Sequence, residues 1–383
     1  MTDKHYDIAV VGGGLAGLAL AIQSAKAGYT TVLFEKEKYP YHKVCGEYIS
    51  MESWSFLESL GLPLNEMHLP IIKRLHVSSP DGKLFEHLLP LGGFGISRFT
   101  LDDELCKLAR QAGVEVLEET KVNDIIYTDD KFKISAGSNS SLGGGWEGAV
   151  VCGSFGKRSN IDIKWNRSFV QQKANKLNNY IAVKYHIKTS YPADLISLHN
   201  FENGYCGISQ IEDGKYCLCY LTTAGNLAKS GNNIQQMEKE ILYQNPHLQK
   251  IFTTAEFLYD APLTISQISF DKKQQVENHV LMIGDAGGMI TPLCGNGMSM
   301  ALHGSKLAFE QIDAFLQKKI TRTEMEDHYQ QQWQQHFANR LKTGRLIQRF
   351  FGKSWVTNLF VQAFRRFPFL ATPLIRQTHG NPF

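Results

Sequence analysis

The 383-residue sequence lacks any long hydrophobic run. No stretch approaches the roughly 20 apolar residues that a membrane-spanning helix needs, so we expect no such helix. The first six residues are polar and lead directly into a short apolar segment. A signal peptide begins differently, with basic residues and a longer apolar core, so we expect none.

Cysteines are few, and their spacing suggests no disulfide or metal-ligand pairs. The seven cysteines form no CxxC pair and no disulfide framework. An odd, scattered set of this kind argues against both a disulfide-stapled fold and a zinc site. We therefore expect a reducing, cytoplasmic compartment and no bound metal.

Excess charge is nearly absent, since 40 basic residues face 37 acidic ones. A net charge of +3 is too small to predict nucleic-acid binding. Acidic residues are missing entirely after Asp327, however, whereas eight lysines and arginines lie between Arg340 and Arg376. The C-terminal region is thus basic, while the rest of the chain is close to neutral.

The N-terminal segment has the pattern of a βαβ unit. Asp7–Val11 is a short apolar strand, Gly12–Gly17 is a glycine-rich loop, and an alanine-rich helix extends to about Ala27. Gly28 caps that helix, and Thr31–Glu35 forms the next strand. Apolar strands joined by a helix predict a buried parallel sheet.

The remaining segments predict further strands and helices. In chain order these are a helix over Leu101–Ala112, a strand over Val114–Leu117, a polar hairpin loop over 137–145, a strand over Gly148–Cys152, strands over Asn179–Ile187, Leu195–Phe201, Tyr205–Ile211 and Tyr216–Thr222, a strand over Val280–Ile283 and a helix over Gly297–Phe315. The four middle strands indicate an antiparallel meander inserted between parallel pieces. We predict an α/β protein with a Rossmann-type domain (1–172 and 262–320), an antiparallel-sheet domain (173–261) and a helical C-terminal region (321–383).

The glycine loop indicates a dinucleotide site. Gly12 permits the tight turn, Gly14 lets the backbone approach a pyrophosphate, and Gly17 allows the helix to pack closely on the strand. Ala16 lies in the same loop, and the N-terminus of the helix faces the anion. Glu35, followed by Lys36, ends the second strand, where its carboxylate would accept hydrogen bonds from a ribose diol.

Two later segments extend this site. Arg98 precedes Leu101-Asp102, and a fixed cation there can reach the phosphates of the dinucleotide. The run 280–301, VLMIGDAGGMITPLCGNGMSMA, contains a strand, then Asp285, then a glycine-rich loop that opens a long helix. Asp285 suits a ribityl hydroxyl, and the helix start from Gly295 through Gly297 to Met298 would stabilise a negatively charged reduced flavin. The sequence therefore predicts bound FAD.

These three motifs, in this order, resemble the FAD-dependent superfamily of p-hydroxybenzoate hydroxylase, the geranylgeranyl reductases and the flavin-dependent halogenases. The resemblance covers roughly residues 6 to 320. Tyr39-Pro40 and Lys43-Val44-Cys45-Gly46 are most similar to the geranylgeranyl reductase branch, where a Cys-Gly pair lies near the flavin. The resemblance also implies an adenine contact from the backbone of Val122.

The chain departs from the family in two places. Many hydroxylases carry Ala-Asp-Gly-x-x-Ser where this chain has Ser154–Ser159, so Phe155 replaces the aspartate. That element is linked to NADPH handling, and no second glycine motif offers a site for a nicotinamide nucleotide. The electron donor is therefore open between NAD(P)H and a separate flavin reductase. The WxWxIP pattern of the halogenases is also missing, which disfavours a halogenase.

No acid–base residue is plainly catalytic. Cys45 is either a redox or proton-donating thiol beside the flavin or, more commonly for such a residue, a small packing side chain. His42, His303 and His336 form no pattern that predicts catalysis. We leave the catalytic residues unassigned.

The C-terminal region alternates bulky apolar residues with cations. Core packing is the usual role of such a stripe, and the aromatics could then border a substrate tunnel. Weak contact with an anionic membrane surface is the alternative.

The resemblance implies two functions, and the departure from the family at Phe155 leaves a third open. The first is a monooxygenase that hydroxylates a phenolic, polyketide or lipid-like substrate through a flavin C4a-hydroperoxide. The second is a carbon–carbon double-bond reductase of the geranylgeranyl type. The third is a protein that binds FAD and a lipid without turnover. The expected partners are a hydrophobic small molecule and an electron donor.

Overall fold

The computed structural model describes residues 4–137, 145–172, 179–350, 353–378 and 380–383. The strands are Lys4–Val11 (β1), Thr31–Phe34 (β2), Tyr48–Ser50 (β3), Ile71–Ser78 (β4), Leu84–Gly95 (β5), Glu115–Leu117 (β6), Val122–Thr128 (β7), Lys131–Ala136 (β8), Trp146–Gly153 (β9), Tyr180–Lys188 (β10), Leu195–Phe201 (β11), Gly204–Gln210 (β12), Tyr216–Thr223 (β13), Glu256–Phe257 (β14), Leu263–Ile268 (β15), Val276–Glu277 (β16) and Val280–Met282 (β17).

The helices are Leu15–Lys26 (α1), Trp54–Ser59 (α2), Arg98–Gln111 (α3), Asn160–Lys164 (α4), Ala224–Lys229 (α5), Ile234–Glu240 (α6), Pro246–Thr254 (α7), Gly297–Leu316 (α8), Arg322–Phe350 (α9), Ser354–Arg366 (α10) and Ala371–Thr378 (α11). None of the described helices is both long and apolar enough to cross a membrane.

The first sheet carries the predicted βαβ unit. Its main order is β16-β17-β9-β1-β2-β6, and β1 lies parallel to both β2 and β9. β17, which comes from residues 280–282, lies parallel to β9 on the other side. Strand β17 comes from a segment more than two hundred residues later in the chain than β1, so the sheet brings both glycine motifs to one edge.

The second sheet is broader than the four predicted middle strands. Its main order is β14-β10-β13-β12-β11-β4-β5-β3, with β15 paired to β10. β11, β12 and β13 form the expected meander, while β10 pairs with β13 and β4 lies parallel to β11. Strands from residues 48–95 thus join a sheet that the sequence predicted from residues 173–261 alone. Pairing between strands that are far apart in the chain leaves no local signal in the sequence.

Helix α1 packs between the first sheet and α8, and α9 covers α8 from outside. The predicted α/β class, with a Rossmann-type sheet, a largely antiparallel second sheet and a helical C-terminal region, is confirmed. Most of the predicted hairpin loop at 137–145 lies outside the described residues. The C-terminal region divides in two. Trp333 and Phe337 on α9 are buried as core packing predicts, whereas several apolar residues from Trp355 onward are exposed.

Candidate flavin site

The glycine loop is shaped by backbone contacts at two of its glycines. A Cβ atom added at Gly12, where φ is +108°, would lie 2.3 Å from the carbonyl oxygen of Ser154. A Cβ added at Gly17 would lie 2.1 Å from the oxygen of Gly12. A Cβ added at Gly14 would have only the Arg98 guanidinium nearby, at 3.9 Å. Gly12 and Gly17 are therefore required by packing, while Gly14 leaves room for a ligand beside a fixed cation.

Glu35 lies at the end of β2, beside this loop, and is 5% exposed. Its carboxylate accepts hydrogen bonds from the backbone N–H of Gly13 at 2.9 Å and of Glu37 at 3.0 Å. Glu35 therefore orders the glycine loop as well as presenting oxygens to a ribose. Lys36, in contrast, points to solvent with 66% of its side chain exposed and pairs with Glu37. The structure does not bring Lys36 into the site.

A buried cluster of charges lies against the glycine loop. Arg98 donates to both carboxylate oxygens of Asp102, from Nε and Nη2, at 2.7 Å each. Lys43 Nζ lies 2.8 Å from the same carboxylate and 3.5 Å from the carbonyl oxygen of Gly13. Burial alone would raise the pKa of Asp102, but Arg98 and Lys43 outweigh it and hold that pKa below its usual range. Two cations against one carboxylate leave one positive charge next to Gly14, where a pyrophosphate would need it.

Arg98 is the first residue of α3, with the Ser97 side chain capping the helix. The sequence had placed it ahead of the helix, which was wrong by one turn. Ser97 is a local N-cap signal, but the prediction began the helix at Leu101 and left Arg98–Thr100 outside it. Lys43 is a phosphate candidate that sequence reasoning missed, although its segment had been singled out.

The turn that contains Asp285 is held by three buried side chains. Lys273 and Arg167 donate to the carbonyl oxygens of residues 285 and 286, at 2.8 and 3.1 Å, and Gln275 donates to that of residue 287 at 2.9 Å. Burial lowers the pKa of Lys273 to about 8. Within the described residues the Asp285 carboxylate makes no side-chain hydrogen bond, so it stays available to a ligand hydroxyl.

The start of α8 lies next to the same turn. Gly295 has a left-handed conformation with φ of +64°, and α8 begins at Gly297 with no side-chain cap. A Cβ added at Gly295 would lie 3.5 Å from the ring of Tyr48. The Tyr48 hydroxyl is buried and has no hydrogen-bond partner among the described residues. Met298, in the first turn, is 7% exposed. An uncapped helix start beside an unpartnered hydroxyl suits the polar edge of a bound ring.

The other predicted residues take supporting positions. Ala16 connects the two motifs, because a Cβ added at Gly284 would lie 3.1 Å from its methyl group. The carbonyl of Val122 accepts from Asn160 Nδ2 at 3.0 Å. The adenine contact of Val122 stays a prediction.

Two residues after Cys45 lies the centre of a buried polar network that the sequence did not predict. Glu47 accepts from the Arg98 backbone N–H at 2.7 Å and from the Lys184 ammonium. Its second oxygen lies 2.6 Å from Nε2 of His186. Glu47 and Lys184 are fully buried. Burial would raise the pKa of Glu47, but His186 and Lys184 outweigh it and hold that pKa below its usual range.

The network continues outward through a phenol to a second imidazole. The Tyr259 hydroxyl lies 2.7 Å from Nδ1 of His186 and 3.0 Å from Nε2 of His42. Burial raises the pKa of Tyr259 to about 12. His42 is half-buried and stacks on Phe99 with ring centroids 4.5 Å apart. A hydrogen-bonded chain therefore extends from buried Glu47 to a histidine that reaches solvent.

Cys45 meets this network through its backbone. The thiol of Cys217 lies 3.2 Å from the Cys45 carbonyl oxygen and, with Glu47 and His186, forms a group of three possible metal ligands. Lys184 already neutralises the Glu47 carboxylate, so this group is arranged as an ion pair and not as a cation site. One signal could have revealed it. Lys184 and His186 stand two apart in an otherwise apolar strand, where charged side chains of one face need a partner.

Side chains of the second sheet and of the 284–297 loop form an apolar cluster. It joins the second sheet to that loop and consists of Tyr180, Ala182, Tyr205, Leu221, Ile268, Phe270 and Met289, with Val44, Leu198, Ile265 and Leu293 packed against it. Phenols are its only ionisable groups. The boundary between the second sheet and the 284–297 loop is thus apolar and aromatic.

The residues at this edge fit FAD. The open side of Gly14, the net positive Arg98–Lys43–Asp102 cluster, the free Asp285 carboxylate and the uncapped start of α8 supply the contacts that pyrophosphate, ribityl and ring would need.

Comparison with known protein families also indicates an FAD site. Residues 7–43 match the FAD binding domain family. The chain is similar to conditioned medium factor receptor 1 of Dictyostelium discoideum, at 22% identity over 91% of this chain and 71% of the relative. It is also similar to kynurenine 3-monooxygenase of Flavobacterium johnsoniae, at 24% identity over 80% of this chain and 73% of the enzyme. A third relative is digeranylgeranylglycerophospholipid reductase of Methanosarcina acetivorans, at 23% identity over 90% and 84% of the two chains.

Solved structures share the fold across nearly the whole chain. The flavin-dependent brominase Bmp2 superposes with a TM-score of 0.79 at 20% identity, covering 98% of this chain and 93% of the brominase. A geranylgeranyl bacteriochlorophyll reductase-like protein from Thermoplasma acidophilum gives a TM-score of 0.78 at 16% identity, with 95% and 92% covered.

Proposed function

We propose that this chain, which belongs to the superfamily of FAD-dependent monooxygenases and geranylgeranyl reductases, is a monooxygenase of a hydrophobic small molecule. The chain is an FAD-dependent oxidoreductase, so what is proposed is the reaction and the class of substrate. A phenolic, polyketide or lipid-like molecule fits best.

The apolar cluster between the second sheet and the 284–297 loop supports this proposal most directly. Bound FAD supplies the electrons that activate dioxygen, and the protein has to hold the substrate nearby in a dry site. Met289 and Leu293 of the loop pack in one buried cluster with Tyr205 and Phe270, so a substrate bound beside this cluster would meet apolar side chains. Oxygen transfer to an electron-rich carbon needs orientation and exclusion of water more than a fixed acid or base.

Isotope labelling tests the proposal. The FAD-loaded protein would be photoreduced without oxygen, mixed with a 4-alkylphenol or an alkylresorcinol, and then exposed to ¹⁸O₂. Hydroxylation predicts a product that carries one ¹⁸O atom, with oxygen consumed in proportion. A Leu198→Asp variant, altered at a partly buried position of this cluster, should lose product while keeping bound FAD, because a carboxylate beside the apolar cluster disfavours the substrate.

The buried network favours a second candidate, the reduction of a carbon–carbon double bond. Such a reduction adds a hydride and a proton, and the chain from Glu47 through His186 and Tyr259 to His42 can carry a proton inward from solvent. The same photoreduced protein, given a polyprenyl alcohol without oxygen, would then yield a product heavier by two hydrogens. Tyr259→Phe should slow that reaction and leave hydroxylation unchanged.

These outcomes separate the three functions. A product that carries ¹⁸O supports the monooxygenase. Reduction of a double bond without oxygen supports the reductase instead. If the bound FAD is reoxidised by oxygen without any product across the substrate panel, the protein is a binder of FAD and lipid without turnover.

A further inference from the structure

Residues 353–369 expose large apolar side chains to solvent; we call the solvent-exposed part of this segment the tail surface. Its apolar members, with their exposed fractions, are Trp355 (69%), Leu359 (61%), Phe360 (40%), Phe367 (48%) and Phe369 (68%). Single exposed apolar residues are ordinary on soluble proteins, but five on one short segment are not. The segment is therefore built to contact something apolar.

The packing of α10 produces this exposure. Its inner side, with Val356 and Val361, is buried, and the ring of Phe364 lies 5.6 Å from that of Phe85 on β5. Trp355 and Leu359 stand one helical turn apart on the opposite side. The helix is thus attached to the second sheet by one apolar face while a second apolar face stays open.

The tail surface also carries positive charge. Lys353, Arg365 and Arg366 are exposed, and none of them pairs with a carboxylate among the residues that the structure describes. No acidic residue follows Asp327 anywhere in the sequence. Not every cation of this region contributes, since Arg340 turns inward to 3.5 Å from the buried Glu52. Exposed aromatics with unpaired cations beside them match the boundary between anionic headgroups and acyl chains.

We propose that the tail surface docks on an anionic lipid bilayer, with α10 lying along the membrane interface. Trp355, Phe367 and Phe369 would enter the headgroup region while Arg365 and Arg366 contact lipid phosphates. A second copy of the chain fits less well, because symmetric pairing of these surfaces would bring the same cations together.

The position of the tail surface also relates it to the flavin site. Ile375 of α11, which follows the tail surface, packs against the cluster of Tyr48, Ile72 and Leu89, and the Tyr48 ring borders Gly295. The segment after the tail surface is thus packed against the cluster that borders the start of α8 in the flavin site. Docking itself does not depend on which reaction is catalysed, and its test needs no turnover.

Co-sedimentation with vesicles tests the proposal. The full chain would be mixed with phosphatidylglycerol–phosphatidylcholine vesicles and with pure phosphatidylcholine vesicles. We expect binding to the anionic vesicles and at least about tenfold weaker partitioning to the neutral ones. Raising the salt to 1 M should weaken the binding, because exposed charges are screened at that ionic strength.

Two double variants separate the apolar and charged contributions. Trp355→Ser with Phe369→Ser, and Arg365→Gln with Arg366→Gln, should each weaken binding by about tenfold or more. Their matched controls are Ile163→Ser, an apolar residue 55% exposed on α4, and Lys229→Gln with Lys250→Gln, two exposed cations elsewhere. The controls should bind like the unaltered protein, and thermal melting of every variant verifies its fold.

Tryptophan fluorescence gives a second readout. All five tryptophans lie within the described residues, and Trp355 is the only one of them that is exposed. Its emission should shift to shorter wavelength on anionic vesicles, and Trp355→Phe should remove that shift while leaving co-sedimentation unchanged.

Three results would overturn the proposal. The first is that the folded, unaltered protein does not bind anionic vesicles at low salt. The second is vesicle binding that survives both double variants. The third is a concentration-dependent dimer, seen by light scattering, that Trp355→Ser with Phe369→Ser dissociates in the absence of vesicle binding. A chain that fails the oxygen-labelling test yet binds vesicles would leave docking intact.

Discussion

Glu47 Oε2 lies 2.6 Å from Nε2 of His186, although 139 residues separate them in the chain. The same carboxylate accepts from the fully buried Lys184. A buried carboxylate with a buried ammonium is stable as a pair, but either charge alone would be strongly unfavourable. The pair therefore joins the segment after Cys45 to strand β10 of the second sheet.

Removing the carboxylate charge should destabilise the fold. We expect Glu47→Gln to lower the free energy of unfolding by about 3–5 kcal/mol, because the Lys184 ammonium would stay buried without a counter-charge. Urea denaturation at pH 7 measures this. The matched control is Glu86→Gln, whose side chain is 52% exposed and pairs with Arg74, so its loss should stay below about 1 kcal/mol. Equal losses in the two variants would show that the buried pair is not stabilising.

Glu35 should be needed for FAD affinity. Glu35→Arg removes the acceptor for a ribose diol and also the hydrogen bonds to Gly13 and Glu37, so we expect the dissociation constant to rise by about 10- to 100-fold. Quenching of flavin fluorescence on binding measures it. Lys36→Gln is the control, since Lys36 points to solvent and should leave affinity unchanged. Unchanged affinity in Glu35→Arg would contradict the assignment of this strand end.

The buried Lys273 predicts how stability depends on pH. Its folded pKa of about 8 lies below the value near 10.4 of an unfolded lysine. Below pH 8 the protonated group is fully penalised in the folded state, and the penalty disappears as pH rises from 8 to 10. The unaltered protein should therefore gain up to roughly 3 kcal/mol relative to Lys273→Met over that range. Urea titrations of both proteins at pH 7, 8, 9 and 10 check this, and a constant difference would refute it.

Electron delivery should be slow with a nicotinamide donor alone. Phe155 stands where many family hydroxylases have an aspartate, and it packs beside Gly153 instead of offering a charge. We expect NADPH to reduce the bound flavin in minutes or longer in a stopped-flow experiment, whereas dithionite reduces it at once. Rapid, stoichiometric bleaching by NADPH or NADH would show that no separate reductase is required.

The sequence alone was sufficient for the parts of this protein whose physics is local. A strand, a glycine loop, a helix and an acidic strand end lie within thirty residues, so the Gly12–Glu35 site and the start of α8 at Gly297 could be predicted from spacing and turn chemistry. Only the tertiary structure decided the rest. Lys184 and His186 on β10 indicate that charged groups there need a partner, but only the fold brings Glu47 and Tyr259 to them from distant segments of the chain. The sequence also could not decide which side of α10 is exposed, because a stripe of aromatics and arginines has the same pattern whether it is buried or exposed. The face of α10 that packs on β5 is set by the shape of the second sheet.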